Sequence, residues 1–244
     1  KILRHKNIVP LWGVARGFGR ISELRCLVSP WMPNGTLNEY LKSKHHDLTV
    51  LDRSRILEDV SAGLRYLHSR AVMHGDITGA NILIDKGGHA RLIDFGLSTI
   101  TEPLVGQSHL AARSIRPGAI RYAAPELVLP DNTRELPVLL GKADIYSFGC
   151  IMLQVLSGRR PWSEILSEAF IIVVMSQNHQ PQRPPAIIDS DWKFIQKCLQ
   201  SGPKLRPSAN KVLDFVTHRF SSPGNSTYFV VLFNHRLTRA SRLL

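Results

Sequence analysis

Three short runs in a fixed order limit what this chain can fold into more than any other feature. They are His74-Gly75-Asp76-Ile77-Thr78-Gly79-Ala80-Asn81, then Asp94-Phe95-Gly96, then Ala124-Pro125-Glu126. Alone, an Asp-Phe-Gly reads as a turn and a His-Gly-Asp as a loop; three in succession call for a common cause. Between the first two lies Asp85-Lys86-Gly87-Gly88, flanked by Ile82-Leu83-Ile84 and Ala90-Arg91-Leu92-Ile93. Apolar runs on both sides of such a turn predict a hairpin. The first two runs are therefore loops at the two ends of one predicted hairpin.

Helical periodicity surrounds this centre. Thr49 and Asp52 have the spacing of a capping box, and Ile56, Val60, Leu64 and Leu67 follow on one face. Ile145, Phe148, Met152 and Val155 share another face, with Gly158 as a stop signal. Phe194, Ile195, Cys198 and Leu199 form a third stripe, closed by Gly202-Pro203. Ser208 is placed to cap a last helix containing Val212 and Val216. Lys1 to Gly13 reads as the end of a helix entering a strand. Cys26-Leu27-Val28-Ser29 reads as a short buried strand, and Pro30-Trp31-Met32-Pro33-Asn34-Gly35 as a turn. The expected fold class is α+β, mainly helical with two short strand pairs. Ser221 to Ser226 is linker-like, and nothing beyond it suggests an element.

Composition excludes several classes. The apolar stretch Tyr228 to Phe233 is far too short to span a bilayer. The opening segment is basic and has no apolar core of a secretory signal. Three cysteines, Cys26, Cys150 and Cys198, have no metal spacing and cannot all pair internally, which predicts free thiols and a cytoplasmic, intracellular setting. The formal charge of +12 raises the question of nucleic acid. Its excess sits mainly at the ends: residues 1–22 carry five Lys/Arg and no acid, and 215–244 carry four Arg and no acid. A further cluster is Arg113, Arg116 and Arg121. None is interleaved with stacking aromatics, so no nucleic-acid partner and no membrane span are expected.

Taken together, the three runs resemble the catalytic loop, the metal-binding loop and the end of the activation segment of eukaryotic protein kinases. The resemblance runs from about Lys1 to Phe215. Leu205-Arg206-Pro207 and Arg121-Tyr122-Ala123-Ala124-Pro125-Glu126 look most like the tyrosine-kinase-like group, whose members mostly modify serine or threonine. The resemblance implies a protein-kinase-like fold, with 1–29 as a small-lobe remnant, 30–36 as the hinge and 37–216 as the large lobe. A basic tail over 217–244 has no assigned structure. It also implies transfer of the γ-phosphoryl group of ATP to a protein hydroxyl. Asp76 would orient that hydroxyl, and Asn81 and Asp94 would hold Mg2+. Leu83 would floor the adenine site, with main-chain groups around Met32 at its edge. His74 and Phe95 would join a stacked apolar column, Asp144 would bond the backbone of the catalytic loop, and Arg206 would pair with Glu126. A protein substrate, and further domains or signalling partners, are implied as well.

Four departures from the family pattern set expectations of their own. No glycine-rich phosphate loop or Val-Ala-x-Lys strand occurs. Gly13, Gly17 and Gly19 follow the His5-x-Asn7 turn and have the wrong spacing, so the missing lysine and its glutamate partner are expected before Lys1. Gly75 replaces the arginine that answers an activation-loop phosphate, which weakens the case for Ser98, Thr99, Thr101, Ser108 and Ser114 as regulatory phosphorylation sites. Thr78 replaces a lysine that reaches the transferred phosphate, and Ala119 a threonine that bonds that lysine and aspartate. By analogy with oxyanion donors, such losses cost on the order of 100–1000-fold in rate. The rival expectation is a pseudokinase or scaffold fragment without catalysis.

Overall fold

The computed structural model describes residues 3–17, 25–94, 99–100, 118–129 and 136–221. The centre is the helix α2 (Val50–Ser69). Its first turn is closed by the predicted box. Thr49 Oγ1 accepts from Asp52 N (3.2 Å), while Asp52 Oδ2 accepts from Thr49 N (2.9 Å) and Thr49 Oγ1 (2.6 Å). Ile56, Val60, Leu64 and Leu67 are all buried. So are Asp59, Ser61 and Gly63 on other faces, because α2 packs against β5 (Ala90–Leu92), α4 (Leu136–Ser157) and α7 (Ala209–Ser221) at once. An expected one-sided stripe is thus the visible part of a helix enclosed on several sides.

The hairpin forms as read: β4 (Ile82–Ile84) pairs antiparallel with β5 in the register Ile82↔Leu92, Leu83↔Arg91, Ile84↔Ala90. Asp85 builds its turn by accepting from Gly87 N (2.9 Å) and His89 N (3.0 Å) and pairing with Arg91 (2.9 Å). Burial pushes its carboxyl up, but those N–H bonds and the guanidinium overcome this and hold it below the usual carboxylate value. Both outer edges of the hairpin are occupied. Residues 7–9 bond β5 through Leu92 N to Asn7 O (2.9 Å) and Val9 N to Leu92 O (3.0 Å). The segment 34–36 bonds β4 through Ile84 N to Gly35 O (2.9 Å).

The N-terminal segment differs from its reading. Residues 3–12 contain no helix; a turn at 6–7 leads into the Ile8–Leu92 bridge. Asn7 fixes that turn: its Nδ2 donates to Asp59 Oδ1 (2.7 Å) and Ala90 O (3.1 Å). β1 (Gly13–Ala15) pairs antiparallel with β2 (Cys26–Val28), but β2 is not a buried strand. Leu27 is 73% exposed, and Val28 and Ser29 are exposed too. An apolar run alone does not say whether anything covers it. A third pair, β3 (Val72–Met73) with β6 (Thr99–Ile100), was not foreseen.

The remaining helices are α1 (Leu37–Lys44), α3 (Pro125–Val128), α5 (Glu168–Ser176) and α6 (Asp189–Cys198). α1 has a capping box of its own, Thr36 with Glu39, whose signal lay unread in the sequence. α4 ends at Gly158, whose φ of +73° glycine adopts without strain. Phe194 of α6 stacks on Phe215 of α7 at 3.7 Å between centroids. Glu126 and Arg206 pair as expected, at 2.5 and 2.7 Å. Arg206 also donates to Gln200 O, Lys142 O and Ser201 O, so all five guanidinium hydrogens have acceptors.

Candidate active site

The run 74–81 links β3 to β4, and α4 sets its position. Asp144, buried on α4, accepts from His74 N (2.9 Å) and Gly75 N (2.8 Å), as the sequence led us to expect. The same carboxylate takes a third bond from His68 Nε2 (2.9 Å). Gly75 has φ +77°, a conformation that costs other L-residues about 1–2 kcal/mol. His74 is fully buried, and its Nδ1 accepts from Asp76 N (3.3 Å). Burial holds this imidazole below its ordinary value of 6.5, against the opposing pull of the Asp144 and Asp76 carboxylates.

Asp76 and Asn81 meet directly. Asn81 Nδ2 donates to Asp76 Oδ2 (2.9 Å) and Asp76 O (2.8 Å), which fixes the amide and leaves Asn81 Oδ1 as an uncommitted oxygen among the described residues. Asn81 N bonds Thr78 O, and Ile93 N bonds Asn81 O (both 3.0 Å), so the chain delivers Asp94 beside Asn81. Asp94 has φ +58°, an uncommon conformation for a non-glycine residue. Phe95 and Gly96 lie outside the described residues, as do four of the five serines and threonines considered above; of the fifth, Thr99, only the backbone pairing is described. Thr78 is buried, and no described Lys or Arg pairs with Asp76.

Met32 precedes the turn at 33–34 that leads to Thr36, which bridges Leu83 of β4. Met32 is buried, and its carbonyl closes the following turn by accepting from Gly35 N (3.1 Å). Leu83 alternates with the fully buried Ile82 and Ile84, so it turns to the opposite face and stays half-buried.

Two groups near this site escaped the sequence reading. Tyr122 OH donates to Gln154 Oε1 (2.8 Å), Gln154 Nε2 donates to Asn38 Oδ1 (2.8 Å), and Asn38 N donates to Gly79 O (3.2 Å). Burial pushes the Tyr122 phenol far above its ordinary range, so it remains a donor. The second group is Arg121, which the charge count had placed in a basic cluster. Its guanidinium is taken up by the carbonyls of Pro161, Trp162, Ile165 and Leu166, at 2.7 to 3.3 Å. Neither had a sequence signal, since the partners lie 32 to 116 residues apart.

The sequence profile of the protein kinase domain matches residues 1–219. The chain belongs to the protein kinase family. It is 34% identical over 218 residues to mitogen-activated protein kinase kinase kinase ANP1 of Arabidopsis thaliana, covering 87% of this chain and 30% of that protein. It is 30% identical over 221 residues to mitogen-activated protein kinase kinase kinase 3 of Mus musculus, covering 91% and 33%. With the L-type lectin-domain containing receptor kinase II.2 of Arabidopsis thaliana it shares 33% over 260 residues, covering 92% and 33%. The chain spans about a third of the length of these curated relatives. Membership of the family implies use of ATP and a divalent metal ion in general. No helix among the described residues is long and apolar enough to cross a membrane.

Proposed function

We propose that this chain carries the large-lobe half of a phosphotransferase site that moves the γ-phosphoryl group of ATP to a serine or threonine hydroxyl of a protein. The observation that carries the reading is the Asp76–Asn81 pair, held on a loop whose backbone is bonded to buried Asp144. A carboxylate with one oxygen bonded to a fixed amide keeps its direction, so Asp76 can accept the proton of an incoming hydroxyl. Its rigidity comes from Asp144 rather than from its own short loop. Residues 30–36 serve as the hinge and 37–216 as the large lobe, with Met32 and Leu83 bordering the adenine. The relatives named as kinase kinase kinases and receptor kinases support a protein substrate and a longer parent with further domains.

The donor set fits Mg2+, which prefers hard oxygens and takes few from protein. Asn81 Oδ1 is uncommitted among the described residues, and Ile93, the residue before Asp94, bonds Asn81 O through its N–H. When bound, the ion would neutralise charge on the phosphates. Asn81 and Asp94 would hold it, and the Asn81 amide, already fixed on Asp76, would need little reorganisation. The test is transfer from labelled ATP across a Mg2+ titration, with Asp94→Asn and Asn81→Ala. Each variant should lose about 100-fold or more in rate, and chelation should abolish transfer. Transfer undiminished in chelator contradicts the assignment.

A further inference from the structure

A cleft of about 360 Å³ opens beside the Asn38–Gly79 contact, between α1 and the end of α4. It is lined by Asn38, Glu39 and Lys42 of α1, Gln154 of α4 and Arg160 just beyond it. The cleft is coupled to the candidate catalytic loop by close packing. A methyl group on Gly79 would lie 2.2 Å from Asn38 Oδ1 and 2.9 Å from Gln154 Oε1. Gly79 sits between Asp76 and Asn81 in the same loop, so the wall of the cleft packs directly against the loop that carries both.

The lining is rich in donors. Gln154 is buried, and its amide is oriented by the Tyr122 hydroxyl, which occupies Oε1. Its nitrogen therefore faces Asn38 Oδ1, and the Asn38 amide nitrogen is left to the cleft. Lys42 and Arg160 are exposed and form no ion pair with any described residue. Glu39, the one carboxylate in the lining, is turned back into the α1 cap, accepting from Thr36 N (2.8 Å) and Thr36 Oγ1 (2.9 Å). Those bonds hold it below the usual carboxylate value, so it stays ionised and committed there. Two cations with no ion-pair partner among the described residues, and an Asn38 amide nitrogen, beside a single engaged carboxylate, suit an anion.

We propose that this cleft selects protein substrates carrying an anionic side chain, a carboxylate or a phosphate, a few residues from the acceptor hydroxyl. The proposal rests on the kinase reading for the meaning of "substrate", but its test does not. Fluorescent peptides with a central serine and a Glu, phosphoserine, Gln or Lys at each neighbouring position are titrated with the full chain by anisotropy. Unmodified protein should bind the best Glu or phosphoserine peptide about fivefold to tenfold more tightly than its Gln counterpart, a modest ratio because exposed charge pairs are individually weak. The preference should shrink with added salt. Lys42→Glu with Arg160→Glu should invert the order in favour of Lys peptides, and an inversion requires a folded protein. A Glu preference without a phosphoserine preference identifies carboxylate as the source; the converse identifies phosphate. Equal binding of all four peptides, or an anionic preference untouched by the charge reversal, overturns the proposal. Binding with the expected preference but no phosphoryl transfer sinks the kinase reading and leaves the cleft.

Discussion

Two strand pairs of the same size meet opposite fates in this molecule. β1–β2 and β4–β5 are both antiparallel, with three residues per strand. In β4–β5, Ile82, Ile84, Ala90 and Leu92 are completely buried, both outer edges are bonded, and α2 packs beneath. Around β1–β2, Leu11, Trp12, Val14 and Leu27 are 58 to 73% exposed. An isolated two-stranded pair is marginal in water, so neither owes its order to its own ladder. What differs is the neighbours. The candidate site grows out of the sealed pair, with Asn81 entering β4 and Asp94 leaving β5.

That comparison can be broken in several ways. The largest effect belongs to the buried Arg206–Glu126 ion pair, which lies outside both strand pairs. Arg206→Ala strands the Glu126 carboxylate and three carbonyl acceptors, and should cost about 3–5 kcal/mol in a urea or thermal melt. A loss near that of a surface substitution would show that the pair is not a keystone. Next, Ile84→Ala in the sealed pair should cost about 2–4 kcal/mol, against about 0.5 kcal/mol or less for Val14→Ala in the open one. Similar losses at the two sites would erase the distinction.

The smallest effect is on pH. His74, His5 and His45 all have pKa values lowered, chiefly by burial, from an ordinary 6.5. The unfolded chain then takes up protons near 6.5 while the folded chain does not, so stability present above that value is lost as the pH falls below it. Asp52 is held down by its bonds with Thr49, and Asp85 is likewise lowered. Their contributions are present above the unfolded carboxylate value and disappear as the pH falls through the folded ones. The melting temperature should therefore fall on acidification from about pH 7 to about pH 5. A rise over that interval contradicts the assignment of neutral buried imidazoles.

Legibility followed the kind of signal. The Thr49–Asp52 cap and the turn at Asp85 are local, written within four residues, and were readable from propensity and spacing alone. Asp144 on the catalytic-loop backbone and Arg206 on Glu126 were readable only through the family resemblance, because their partners lie 70 and 80 residues away. Asn7 on Asp59, Gln154 on Asn38 and Arg121 on four carbonyls had neither help. A lone polar residue on a loop or an apolar helix does not announce a partner across the fold. In the sequence Arg121 shows only as one member of a basic cluster ahead of Ala124-Pro125-Glu126. Cys26 to Ser29 failed differently, since an apolar run has the same letters whether covered or bare.

The most direct test of the central claim is transfer of label from γ-labelled ATP to a protein substrate by the longer parent chain, which supplies the lysine and glutamate expected before Lys1, unmodified and as Asp76→Asn. The variant keeps the shape of Asp76 but cannot accept the hydroxyl proton. The account predicts labelled product with the unmodified parent and a drop of about 100-fold or more in the variant, with the melting temperature little changed. Equal labelling by both, or none by either, would contradict it.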